Sequence, residues 1–127
     1  MSLDVDVEAE LVAYLRAELG CHVCTDLPAE FEKRLPVVQL ESLDEVTELV
    51  AWGGGPITYL ATLDYDVYAG TREAASDLAR NLRNALERLR VEPFTGATVS
   101  GNGKRPDFNP RVRRFGGTVT ARLRGTK

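Results

Sequence analysis

Three places in the chain hold residues whose types and spacing could do chemistry. The first is "CHVC", where Cys21, His22 and Cys24 fall within four residues. A zinc site would need a fourth ligand from a second knuckle, yet His22 is the only histidine and the chain has just two cysteines. Read as a strand, the segment sets the two cysteine Cα atoms roughly 10 Å apart, too far for a disulfide. Buried reduced thiols are the expectation, with neither metal nor redox chemistry. The second place is "LDYD", which puts Asp64 and Asp66 on one face of a strand, roughly 7 Å apart at i and i+2. Such a pair could move protons, hold a divalent cation or pair with arginines. Arg122 and Arg124 repeat the spacing on what reads as another strand, so cross-strand charge pairing accounts for all four residues. Acid–base work would want a third group such as a histidine, and none is at hand. The third place is "GGGP" at 53–56. A phosphate cradle there would need a following lysine with serine or threonine, and Pro56 removes a backbone donor. No catalytic, cofactor-binding or metal-binding residue is therefore expected.

The elements that position these residues follow from local rules. Asp4 or Asp6 can cap a first helix whose apolar Leu11, Val12, Leu15 and Leu19 recur at helical spacing, with Gly20 as its stop. "CHVCT" reads as a short strand, "DLPAEFEKRL" as a connection and "PVVQLESL" as a second strand entered at Pro36. "DEVTELVAWGGGP" fits either a short helix or a wide hairpin loop, mobile near its glycines. Trp52 within it is either core or an anchor for a partner. In "YLATLDYDVYAG", Tyr59, Ala61, Leu63, Tyr65 and Val67 alternate onto one face. Leu60, Thr62, Asp64, Asp66 and Tyr68 take the other. Thr71 caps a helix with an apolar stripe at Ala75, Leu78, Leu82, Ala85, Leu86 and Leu89. "FTGATVSGNG" and "GGTVTARLRG" close the chain as strands. The fold class is α/β (α+β): one mostly antiparallel or mixed sheet of about five strands flanked by two main helices. All 127 residues are read as one domain, with a mobile loop around 41–56.

Composition is that of an ordinary folded protein, at 43% apolar and 28% charged. No apolar run is long enough to span a membrane, and the acidic N-terminus is unlike a signal peptide, so a soluble cytoplasmic product is expected. The net charge of −3 hides a division. Residues 1–92 carry 18 acidic and 8 basic side chains, whereas residues 93–127 carry 1 acidic and 8 basic. Three readings fit: pairing inside one fold, an acidic surface meeting a neighbour's basic surface, or a basic segment binding nucleic acid. Two helices cover only one face of such a sheet. The other face, with Leu60 and Tyr68 among charged groups, then favours an oligomer.

The order of "VEAELVAYLRAELG", "VCTDLP", "RLPVVQLES", "LDYDVYAGTREAASDLARNLRNAL" and "VSGNGKRPDFNPRVRRFGGTVTARLR" resembles the tail terminator (tail completion) proteins of long-tailed bacteriophages, the siphophages, particularly those of actinobacterial phages. The likeness covers nearly the whole chain. It implies a structural virion protein without catalysis or cofactor: a homohexameric ring at the head–tail junction, assembled in the host cytoplasm. Such a ring caps the tail tube, ends its polymerisation and offers a docking surface to head-completion or neck proteins, while DNA passes through without sequence-specific binding. It further implies that Glu41, Asp44, Glu45, Glu48 and Trp52 dock on the tube protein. Asp64, Asp66, Arg111, Arg113, Arg114, Arg122 and Arg124 are the candidates for subunit contacts and charge pairing. Two alternatives stand beside it: another neck ring such as a head-completion or stopper protein, and a small-molecule-binding regulatory α/β domain.

Overall fold

A computed structural model describes residues 6–43, 47–50, 57–105 and 111–124. Helix α1 (Val7–Leu19) begins where the Asp6 carboxylate accepts the backbone N–H of Ala9 at 3.1 Å. It ends where Gly20 turns left-handed at φ 65° and donates its N–H to the Arg16 carbonyl. Strand β1 (His22–Cys24) follows, then a 3₁₀ turn (Phe31–Lys33) and β2 (Val37–Ser42). Next come β3 (Thr47–Val50), β4 (Ile57–Ala69), α2 (Arg72–Glu87), β5 (Phe94–Arg105) and β6 (Arg113–Arg124). Thr71 caps α2 through its hydroxyl, which accepts the Ala74 N–H at 3.1 Å.

The strands form one six-stranded sheet in the order β1-β2-β4-β6-β5, with β3 also on β4. Only β1–β2 is parallel; the remaining pairs are antiparallel. This is the expected α+β class with one strand more than the sequence suggested. The extra one is β3. Residues 47–50 pair with 57–60, so this part of "DEVTELVAWGGGP" is a hairpin strand and not a helix. Pairing with β4 overrides a helical propensity that four residues cannot express alone. Asp44, Glu45 and Trp52 lie outside the described residues, while Glu48 sits in β3 opposite Tyr59. The length of β4 now has a reason. Its first residues hold β3, residues 63–68 hold β2, and its opposite edge pairs with β6 from Thr58 to Ala69.

Both helices cover the same face. Helix α1 packs on β1 and β2, whereas α2 packs on β4, β6 and β5. Tyr59, Ala61, Leu63, Tyr65 and Val67 meet Val119, Ala121 and Leu123 beneath Leu82, Leu86 and Leu89, all buried. Each large apolar side chain removed from water here contributes roughly 1.5–3 kcal/mol. The opposite face is open only in part. Tyr68, expected there among exposed groups, is 3% exposed. Val37, Val112, Leu27, Phe31 and Leu35 enclose it, and the Phe31 ring meets it edge-on at 5.1 Å. The segment read as a mere connection is a lid of apolar side chains over that end of the sheet.

Candidate functional site: paired carboxylates and arginines on the uncovered face

Beyond Tyr68, β4 presents Asp66 and Asp64 to the face that the helices leave bare. Asp66 is the buried charged side chain among the described residues, 7% exposed. Burying a carboxylate is costly unless its oxygens are fully paired. Arg114 of β6 donates to both of them, Nε to Oδ1 and Nη2 to Oδ2, each at 2.9 Å. Arg105 of β5 forks onto Asp64, with Nη1 to Oδ2 at 2.9 Å and Nη2 to Oδ1 at 3.0 Å. Its Nη1 also reaches Asp66 Oδ1 at 3.2 Å. Two carboxylates and two guanidiniums thus bridge the three strands β5, β6 and β4. Arg114 lies 5.5 Å from the centroid of the Tyr68 ring, which ties the cluster to the small apolar core beside it. Both guanidiniums hold their protons more firmly than usual, Arg105 chiefly through its hydrogen bond to Asp64 and Arg114 through its bond to Asp66.

Arg105 reaches this face only because β5 bulges. Ser100 pairs with Thr118 and Gly103 with Gly116, so three steps along β5 match two along β6. Gly101, at φ 70°, absorbs the extra residue. Without it, strict alternation from Ala97 and Val99 would place Arg105 on the helix-covered face. With it, Arg105 pairs with Arg114 and shares its side. Gly116 then leaves room for the reach, since a Cβ there would lie 2.5 Å from Arg105 Nε and from Asp66 Oδ1. The neighbouring Gly117 serves the other face, where a Cβ would lie 2.7 Å from both the Ser100 carbonyl and the Tyr65 hydroxyl.

The partners of the aspartates therefore differ from those expected. Arg122 stands opposite Leu60 and Arg124 opposite Thr58, whereas Asp64 stands opposite Thr118, so the two arginines lie too far along β6 to meet it. Arg122 donates to Thr98 Oγ1 at 3.3 Å, and exposed Arg124 lies 3.7 Å from Glu92. Of the remaining candidates, Arg114 joins the cluster, exposed Arg113 sits opposite Ala69, and exposed Arg111 precedes β6. Glu41 is exposed opposite Asp64. Sequence reasoning missed Arg105. The one available signal was "SGNG", a glycine-rich break in an otherwise alternating strand.

Chemically, this cluster is charge-balanced, with two carboxylates against two guanidiniums. All four carboxylate oxygens accept from guanidinium, so proton transfer or cation binding would compete with the arginines for both carboxylates. His22, the single histidine, is on β1, with β2 standing between it and β4. Cys21 and Cys24 are free and half-buried, burial pushes both thiols up in pKa, and the Cys24 thiol donates to the Val38 carbonyl at 3.6 Å.

Tyr65 completes the surroundings from the core side. Its hydroxyl is buried and has no hydrogen-bond partner among the described residues. Burial pushes its pKa up to about 12 from 10.0. The unfolded chain releases this proton first, so Tyr65 contributes stability up to about pH 10 that is lost as pH rises through 12, roughly 2–3 kcal/mol in all. Tyr65→Phe is expected to be neutral or stabilising by up to about 1 kcal/mol at neutral pH. It should also flatten the alkaline decline relative to wild type, as read by urea titrations across pH 8–12.

No protein-family model and no curated protein matches the chain. Among solved structures 26 chains match. One belongs to the virion of a native gene transfer agent (GTA) particle, with a TM-score of 0.60 and 17% sequence identity over 94% of this chain and 90% of that one. The two chains share a fold over most of their lengths.

Proposed function

We propose that this chain is a structural virion protein, one tail-terminator-like domain that forms a homohexameric ring on the finished tail tube. The observation that carries the reading is the match of nearly the full length of both chains to a component of a virion particle. The ordered motifs from "VEAELVAYLRAELG" to "TVTARLR", which resemble tail terminators, supply the finer role. The arginine-paired carboxylates agree with a protein whose work is contact rather than turnover. In this reading one surface of the ring matches the upper end of the tube and stops its growth, while the other receives the neck protein and the channel conducts DNA. Glu41, exposed at the end of β2, and Glu48 in β3 belong to the tube-docking region, together with Asp44, Glu45 and Trp52.

Deleting the gene from a phage that carries it is expected to yield tails of irregular, extended length that fail to join heads. Tails of normal length, measured by electron microscopy, would refute the terminator role. Binding of the purified protein to portal complexes but not to tail tubes would reassign it to another ring of the neck.

A further inference from the structure

The chain has two apolar cores, one on each side of the sheet. The larger lies beneath both helices, and the smaller has three buried members, Val37, Tyr68 and Val112. Its cover is the segment 25–35, which contributes Leu27, Phe31 and Leu35, each only half-buried. Side chains fasten this cover to the sheet. The Phe31 ring sits edge-on to Tyr68 at 5.1 Å, and Gln39 Nε2 donates to the Thr25 carbonyl at 3.2 Å. Two backbone bonds of its 3₁₀ turn, from the Lys33 N–H to the Glu30 carbonyl and from the Arg34 N–H to the Phe31 carbonyl, stay inside the segment and survive if it lifts away as a unit. Closure also holds Glu30 at φ 56° and ψ 37°, in the left-handed region. A residue with a Cβ is disfavoured there by roughly tenfold. Tyr68 itself is held between Val37 of β2 and Arg114 of β6 by sheet pairing, which does not need the cover.

We propose that residues 25–35 are a lid that opens by itself, with the sheet and the helix-side core intact. A few half-buried side chains hold it shut, and release of Glu30 from its left-handed conformation favours opening. Opening bares Tyr68, Val37 and Val112 beside the arginine cluster, while Asp66 keeps Arg114 in place. The face that the helices leave bare thereby has two states, one with its small core sealed and one with that core exposed. This device is independent of any role in a virion.

The two cysteines report the two cores separately, because Cys24 packs on the smaller and Cys21 on the larger. The test follows labelling of the full chain by DTNB, in Cys21→Ser to read Cys24 and in Cys24→Ser to read Cys21. Phe31→Ala should speed Cys24 labelling about tenfold, as a half-buried ring is lost from the closed state. Glu30→Gly should slow it about threefold, since glycine adopts the left-handed region freely. The Lys33 pair lost with Glu30 is 70% and 68% exposed, too weak to offset this gain. Neither change should move Cys21 labelling by more than about twofold. Equal acceleration of both thiols by Phe31→Ala would show that the cover and the helix-side core open together, and would overturn the inference. A Cys24 rate that neither variant moves, or that Glu30→Gly raises, would overturn it as well. If Phe31→Ala does not fold, the Glu30→Gly comparison decides alone.

Discussion

Asp66→Ala is expected to destabilise the fold by about 3 kcal/mol, the largest effect of any single exposed-face substitution. The substitution takes from Arg114 both oxygens to which it donates and from Arg105 one of its acceptors, leaving two guanidiniums at roughly 30% exposure without their shared counter-charge. Breaking a fully buried pair from one side costs about 3–5 kcal/mol, and partial exposure of the arginines places this case at the lower end. Asp64→Ala should cost less, about 1–2 kcal/mol. Its side chain is 24% exposed, and Arg105 retains Asp66 when Asp64 is lost. Urea denaturation measures both. A double-mutant cycle pairing Asp66→Ala with Arg114→Leu should return a coupling of at least about 1 kcal/mol. Equal, small losses at Asp64 and Asp66 would show that the cluster is not the tie between β5, β6 and β4 described above.

Gly117→Ala is expected to cost about 2–3 kcal/mol, although it adds a single methyl group. The methyl would lie 2.7 Å from the Ser100 carbonyl, which is backbone in the adjacent strand, and 3.0 Å from the Tyr65 ring. Neither neighbour can swing away, because Ser100 is held in register with Thr118 and Tyr65 is fully buried beneath α2. A lowering of the melting temperature by roughly 10 °C should accompany the change. Combining it with Tyr65→Phe should recover only part of the loss, since the hydroxyl clash disappears while the carbonyl clash persists. Gly116→Ala makes the informative contrast. Its methyl meets the far end of the Arg105 side chain and the Asp66 carboxylate, which can shift, so its main effect is to loosen the arginine cluster rather than the sheet.

Much of the fold was legible because its determinants are neighbours in sequence. Asp6, Gly20 and Thr71 act on backbone groups within one turn of themselves, and their roles as caps and stop follow from residue type alone. The alternation of Tyr59 to Val67 and the stripe through Ala75, Leu82 and Leu86 likewise need only a period to be read, and both face the core. The charge division between the first and last parts of the chain was also plain, although not which members of the two groups pair inside the fold.

Pairing across the sheet was decided elsewhere. Which arginine meets which aspartate depends on the register of β6 against β4, and on one extra residue at Gly101 that moves Arg105 from one face to the other. A period-two pattern carries no record of such a shift, so Arg122 and Arg124 looked as suitable as Arg105 and Arg114. The burial of Tyr68 was hidden for the same reason, since the residues that cover it, Leu27, Phe31 and Leu35, lie more than thirty positions earlier in the chain. The sequence by itself determined where the helices begin and end, which face of each long element is apolar, and where charge accumulates. Tertiary structure alone decided the partners of the charged groups, because strand register and a single bulge set distances between residues that no local spacing relates.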